Sequence, residues 1–473
     1  MNIPDEYYGE NRNNDIDAQD LQLKVDICKE YVSEGQVFAY LENIEETIQL
    51  CLEYDFIDDG IYLADAVLDI TPYNSEIWQF KGIFLNNQFE FENAYECFNK
   101  ALSLNPNDVE TIINKSISEE NLGMADEAKE SLEKALTLEP NNEEALFSLA
   151  VLHERKEAYM EAIYFFNRAA DVDPKYSEAW YELGFCYENT DDLLKALESY
   201  EKFLDLEPYS ATGWYNKGIV HLRLADFEKS INCFELSIAI KDEFSSAWFN
   251  LGVAFANLGR LNEALEAFSR AAEIDPFDET AFYNIGLTYE DLGKYREAIK
   301  YYNKAIKLDE EYYEAFLSRG LCLYYLGMQK GAFRDFNKAF KLNDKSTSDF
   351  LLNPEIDDIL NSYSVKVDKL KKSIAAKPGN IKSHLSLAKT YMLMGKNTEA
   401  LRQFSICLAI TPEFTPALYG LAIVYLKLSK PEEAFLYLRE AFLKDSKLKR
   451  KFTRDYPELK ESKLFKKLLE HSI

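Results

Sequence analysis

Disulfide-forming cysteine pairs, long apolar runs and an excess of positive charge are all missing from this 473-residue chain. Its seven cysteines (28, 51, 97, 186, 233, 322 and 407) are odd in number and widely spaced, with no CxxC. They read as reduced, buried thiols of a cytoplasmic protein, and they argue against a disulfide frame or a zinc site. No apolar stretch approaches the length of a membrane-spanning helix, and residues 1–20 are polar and acidic, so neither a span nor a signal peptide is expected. With 53 basic against 82 acidic residues the formal charge is −29, which speaks against nucleic acid or an anionic membrane surface as a general partner. Histidine is scarce, at four residues (153, 221, 384 and 471). There is no Gly-rich phosphate loop, HExxH or nucleophile elbow. An enzyme, a cofactor and a metal are therefore not expected. What the chain does have is 47 % hydrophobic residues, too many for a disordered polymer.

The order lies in the punctuation. Pro72, Pro106, Pro140, Pro174 and Pro208 fall 34 residues apart, and eight of the 13 prolines share that phase. Gly82, Gly184, Gly218, Gly252, Gly286 and Gly320 share another, and Gly123, Gly259, Gly293, Gly327 and Gly395 a third, seven residues later. Residues 75–448 divide into eleven windows of 34 without insertion or deletion. A fixed period of this size indicates stacked supersecondary units. Inside window 177–210, Trp180, Leu183, Gly184 and Tyr187 mark one helical face, and Ala196, Tyr200 and Phe203 a second after a polar turn. The eighth position is Gly, Ala or Ser in ten of eleven windows, and the twentieth is Ala or Ser in the same ten. Small residues there let two antiparallel helices approach. The large aromatics of the fourth position (Trp78, Trp180, Trp214, Trp248, Phe282, Phe316) are expected to fill the space between hairpins, and the proline to stop each second helix.

Window 245–278 spells the pattern out in Trp248, Leu251, Gly252, Phe255, Ala264, Phe268, Ala271 and Pro276. It resembles the tetratricopeptide repeat, with Phe255 in the place of a tyrosine, and the likeness covers about four fifths of the chain. The resemblance implies an all-α fold, a right-handed α-solenoid of stacked antiparallel helix hairpins. His153 and His221 stand where Tyr187 or Tyr289 stands in other windows, so they read as packing residues.

The organisation expected along the chain starts with an acidic disordered tail at 1–17. An N-terminal helix and degenerate repeat cap occupy 18–74, and eight tandem repeats 75–346. Window 347–380 is degenerate, because Pro354 and Lys366 replace its two small residues. Residues 344–353 read as irregular, followed by an off-register helix at about 355–376. That window is either a decayed repeat that still packs or a hinge. Two further repeats fill 381–448, and a single capping helix lies in 449–473. Residues 1–74 carry 18 acids and 3 bases, and residues 444–473 carry 10 bases and 5 acids.

The resemblance further implies that the first helix of each hairpin lines a concave groove. Its inward positions give Glu110, Glu144 and Glu178, then Phe147, Tyr181, Tyr215 and Phe249, then Phe185, then Glu154 and Glu188. An apolar, aromatic floor between glutamate rims suits a partner protein or peptide with basic and hydrophobic side chains. Family members that hold a C-terminal carboxylate use lysine and asparagine where this chain has aromatic and aliphatic residues, so that use is set aside. The function expected is a non-catalytic protein-interaction scaffold. The alternatives are regulation of an enzyme in trans, or homo-oligomerisation by head-to-tail contact of the acidic N-terminus with the basic C-terminus.

Overall fold

A computed structural model of the chain describes residues 18–342, 354–457, 459 and 462–470. The expected acidic tail at 1–17 and the irregular stretch at 344–353 lie outside these residues. Among the described residues there are 26 α-helices, one short 3-10 turn and no strand. The molecule is an all-α solenoid. No described helix is long and apolar enough to cross a membrane.

Each hairpin pairs a 13-residue helix with a 14-residue one, as in Ser177–Asn189 and Leu193–Leu206. Five of the first helices start on a side-chain cap. Asn74, Asn142, Ser210, Asp278 and Asn380 accept backbone N–H bonds from the first helical turn. The turn between the two helices needs one left-handed residue. Gly123, Gly259, Gly293, Gly327 and Gly395 supply it at φ of 68° to 77°. The same position holds Asp55, Phe89, Glu157, Asp191, Ala225 and Ser429 at φ of 57° to 62°, where a Cβ is strained. Ala225→Gly and Glu157→Gly should therefore each raise stability by about 0.5–1 kcal/mol, measurable as a higher urea midpoint.

The proline is not what ends the second helix. Phe227–Ile240 and Tyr295–Leu308 stop at the same phase with Asp242 and Glu310 in place of proline. The carbonyl at that position has another use: the Trp78, Trp180, Trp214 and Trp248 indoles donate to the carbonyls of Pro72, Pro174, Pro208 and Asp242 at 2.8 to 3.1 Å. These tryptophans are half-buried and tie each first helix to the turn before it. The rings that fill the core within each hairpin are those of the twenty-fourth position, such as Phe98, Phe166, Tyr200, Phe234, Phe268, Tyr302 and Phe336, all fully buried. Each faces the small residue of the first helix. A Cβ built on Gly184 would lie 2.5 Å from the Tyr200 ring, and one on Gly252 2.7 Å from Phe268.

The chain divides into two compact units, the first ending at Lys241 and the second beginning at Asp242. In the first, helix Ala18–Ser33 covers the hairpin Leu41–Glu53 and Ile57–Ile70, burying Leu21 and Val25 with Ile44, Ile48, Leu63 and Val67. Five regular hairpins follow, the last ending at Ile240. The second unit opens with three hairpins, to Leu342. One 23-residue helix, Pro354–Ala376, then packs along its length. Ile356, Ile359 and Tyr363 lie against Phe333 and Phe336, and Val367 against Leu387. Two hairpins complete the repeats, from Ile381 to Lys444.

The C-terminal cap differs from expectation. In place of one helix there are two, Lys447–Asp455 and Lys463–Glu470, with Pro457 between them unable to donate a helical N–H. Phe452, Phe465 and Leu468 bury their apolar faces against Ile423, Leu438 and Phe442. All seven cysteines are buried and free. Burial raises the Cys97, Cys233 and Cys407 thiols to about 11, well away from reactivity.

Candidate peptide-binding face

The first helices Val109–Asn121, Glu143–Arg155, Ser177–Asn189 and Ala211–Arg223 belong to the first unit, and side chains link each to the next. Asn216 donates to the Tyr181 hydroxyl at 3.0 Å, across a 35-residue step. Two ion pairs repeat that step. Arg155 meets Glu120 at 3.0 Å, and Arg223 meets Glu188 at 3.3 Å while its other nitrogen holds Asp191 at 2.8 Å. A glutamate at the twelfth position of one window is thus neutralised by an arginine at the thirteenth position of the next. Burial raises both carboxyls, and the arginine opposes the shift in each.

Glu154 breaks the series, because the residue 35 further on is Asn189. Its neighbour is instead Glu182, at a sixth position filled elsewhere by Asn, Ser, Phe, Leu or Gly. Burial and the charge of Glu154 push Glu182 up to about 8, so at neutral pH it holds a proton and donates it to Glu154. Because the folded state keeps this proton above the ordinary value of 4.5, stability falls as pH rises from about 4.5 to about 8. Glu182→Gln removes this group's part of the titration, while burial still raises Glu154. Thermal melts between about pH 5 and pH 9 should therefore show a smaller loss for the variant than for the native chain.

The other anticipated residues divide into exposed carboxylates and packed rings. Glu110 and Glu144 are exposed, and the Glu144 carboxyl is raised by desolvation and by the Glu110 charge, so the two feel each other. Glu178 is half-buried and accepts from the Ser177 hydroxyl at 3.2 Å. Phe147 is half-buried, its centroid 5.3 Å from Phe166 and 4.9 Å from Tyr176. Tyr181 lies 5.1 Å from Phe203, and Tyr215 lies 5.9 Å from Phe234. These rings pack against the second helix of their own hairpins. Phe185 is the exposed one of the anticipated aromatics in the first unit, at 37 %, with Tyr159 edge-on at 6.4 Å. Phe249 belongs to the second unit, where it packs 5.4 Å from Phe268. Glu188 is tied to Arg223, so it is not a free rim charge. Glu182 was missed in the sequence. The signal was a carboxylate at a position otherwise filled by amide, hydroxyl, apolar or glycine residues.

Family models of the tetratricopeptide repeat match residues 75–108, 115–177, 177–210, 211–244, 245–278 and 280–312. The chain belongs to the tetratricopeptide repeat family. The hairpins from Tyr313 onward continue the array past the matched residues. Such an array is a protein-interaction scaffold. No curated protein matches the chain. Among solved structures it is similar to MamA, with 28 % identity over 34 % of this chain and 95 % of that one, at a TM-score of 0.34. It is also similar to YrrB, described as a tetratricopeptide protein with an unusual peptide-binding site. There the identity is 25 % over 40 % of this chain and 96 % of that one, at a TM-score of 0.37. A tetratricopeptide repeat protein from Parabacteroides merdae shares 20 % identity over 51 % of this chain and 95 % of that one, at a TM-score of 0.40.

Proposed function

We propose that the first-helix face of residues 109–223 binds a segment of a partner protein carrying a basic side chain, best an arginine, next to apolar ones. The observation that supports this reading most is the contrast within the 35-residue ladder. Where Glu120 and Glu188 meet Arg155 and Arg223, the intervening Glu154 meets a second carboxyl. The two flanking pairs show what these glutamates take when it is offered: a guanidinium. A partner arginine would do for Glu154 and Glu182 what Arg155 does for Glu120, displacing the shared proton. Phe185 and Tyr159 offer apolar contact beside it, and Glu110, Glu144 and Glu178 would steer the approach.

Pooled ten-residue peptides with one fixed central residue test this by fluorescence anisotropy on the full chain. Pools fixed at arginine should bind at least about fivefold more tightly than pools fixed at aspartate. Their affinity should rise with pH toward about 8, as Glu182 gives up its proton. Glu154→Gln with Glu182→Gln should abolish both effects. Equal binding of the two kinds of pool, or a preference unchanged in the double variant, would contradict the reading.

A further inference from the structure

Residues 366–402 reverse the charge of the chain, with nine lysines and arginines against Asp368 and Glu399. They lie where the repeat is least regular. One of their elements is the single long helix Pro354–Ala376. A cleft of about 400 Å³ opens between this helix and the hairpin Ile381–Leu393 and Asn397–Ile410. Its volume is in the range of small-molecule sites.

Ile374, Leu387 and Ile406 give the cleft apolar walls, and Lys371 from the helix Pro354–Ala376 and Arg402 from Asn397–Ile410 both line it. Neither cation forms an ion pair among the described residues. The floor is fixed: the buried His384 lies 2.8 Å from the Gln403 amide oxygen through one ring nitrogen and 2.9 Å from the Pro378 carbonyl through the other. Glu399 also borders the cleft, and its charge disfavours a second anionic group on a bound molecule.

We propose that this cleft binds a small organic anion, with one phosphate or carboxylate head between Lys371 and Arg402 and an apolar body against Ile374, Leu387 and Ile406. The proposal is independent of the peptide-binding face, which lies in the other unit. Two cations converging on one cleft hold an anionic head by charge-assisted hydrogen bonds, and arginine can do so in bidentate fashion. The apolar walls account for the body, and the single carboxylate at the edge for the single head.

Saturation-transfer NMR and calorimetry on the full chain test this with phenyl phosphate and benzoate. Benzyl alcohol and inorganic phosphate serve as controls lacking the charge or the body. Saturable binding of phenyl phosphate, benzoate or both is expected, and which of them binds tells phosphate from carboxylate. Lys371→Gln with Arg402→Gln should weaken binding at least about tenfold, and Glu399→Gln should tighten it. Both cations are exposed, so the variants should fold, as circular dichroism would verify. Failure of both aromatic anions to saturate would overturn the proposal. So would binding unchanged in the double variant, or equal binding of either control.

Discussion

Asp335→Ala is expected to destabilise the second unit by about 3–5 kcal/mol, the usual consequence of stranding one member of a buried ion pair. Asp335 is 1 % exposed and takes two bonds from Arg319, at 2.6 Å from Nε and 2.9 Å from the far Nη. The third nitrogen of Arg319 donates to Asn303 at 2.7 Å, and the guanidinium lies 5.1 Å from the Phe316 ring centroid. Each guanidinium nitrogen has an acceptor, and removing the carboxylate leaves a half-enclosed cation with only Asn303 to hold it. The hairpin two repeats earlier shows the alternative. Its equivalent positions hold Leu251 and Ala267, both buried. Arg319→Leu with Asp335→Ala should therefore recover most of the loss, giving a coupling energy of about 2 kcal/mol or more in a double-mutant cycle. Because a repeat array unfolds in parts, the readout is hydrogen exchange in Tyr313–Tyr325 and Gln329–Leu342 together with the urea midpoint.

Gly252→Val is the second large effect, at about 3 kcal/mol of destabilisation. The valine Cβ would lie 2.7 Å from the Phe268 ring, closer than atoms approach, and the fully buried ring has no room to retreat. The added branches deepen the clash and push the two helices of the hairpin apart. The chain carries both answers to a larger small residue. Ala422 faces Leu438, and Ser116 stands in the hairpin of Leu132. Ala150 and Ala388, by contrast, share their cores with Phe166 and Phe404, whose helices must stand slightly further apart. Gly252→Ala with Phe268→Leu should accordingly be less destabilised than Gly252→Ala alone, by urea titration of each variant. If the alanine variant melts like the native chain, the close helix approach is not what selects glycine here.

Much of this architecture is legible in the sequence because a repeat states each requirement many times. The glycine phase at 123, 259, 293, 327 and 395 marks the left-handed turn, and the windows that lack it pay in strain at Glu157 or Ala225. The buried small residues follow directly from their spacing. Other features need three dimensions. That Glu120 and Glu188 are taken by Arg155 and Arg223 depends on a 35-residue step between helices, which an amphipathic pattern within one helix does not reveal. For the same reason Glu154 looked like its neighbours in sequence, although it meets Glu182 and not an arginine. The fifth-position aromatics look like a groove floor in sequence, but their rings turn to pack against the second helices. Tryptophan is legible as a filler between hairpins by its size, but its N–H also needs an acceptor, and the turn carbonyl six residues before it provides one. The break at Pro457 was in plain view, but the basic, apolar pattern on both sides of it reads as one helix.

In the function proposed, the first-helix face of the first unit takes a basic segment by charge. Its most direct test is the affinity of the tightest arginine-bearing peptide for the native chain and for Glu110→Lys, Glu144→Lys, Glu178→Lys, at about 50 and about 300 mM salt. Native binding is expected to weaken about tenfold with salt, and the charge-reversed chain, folded by circular dichroism, to bind at least about tenfold more weakly at low salt. Equal affinity of the two chains would contradict it.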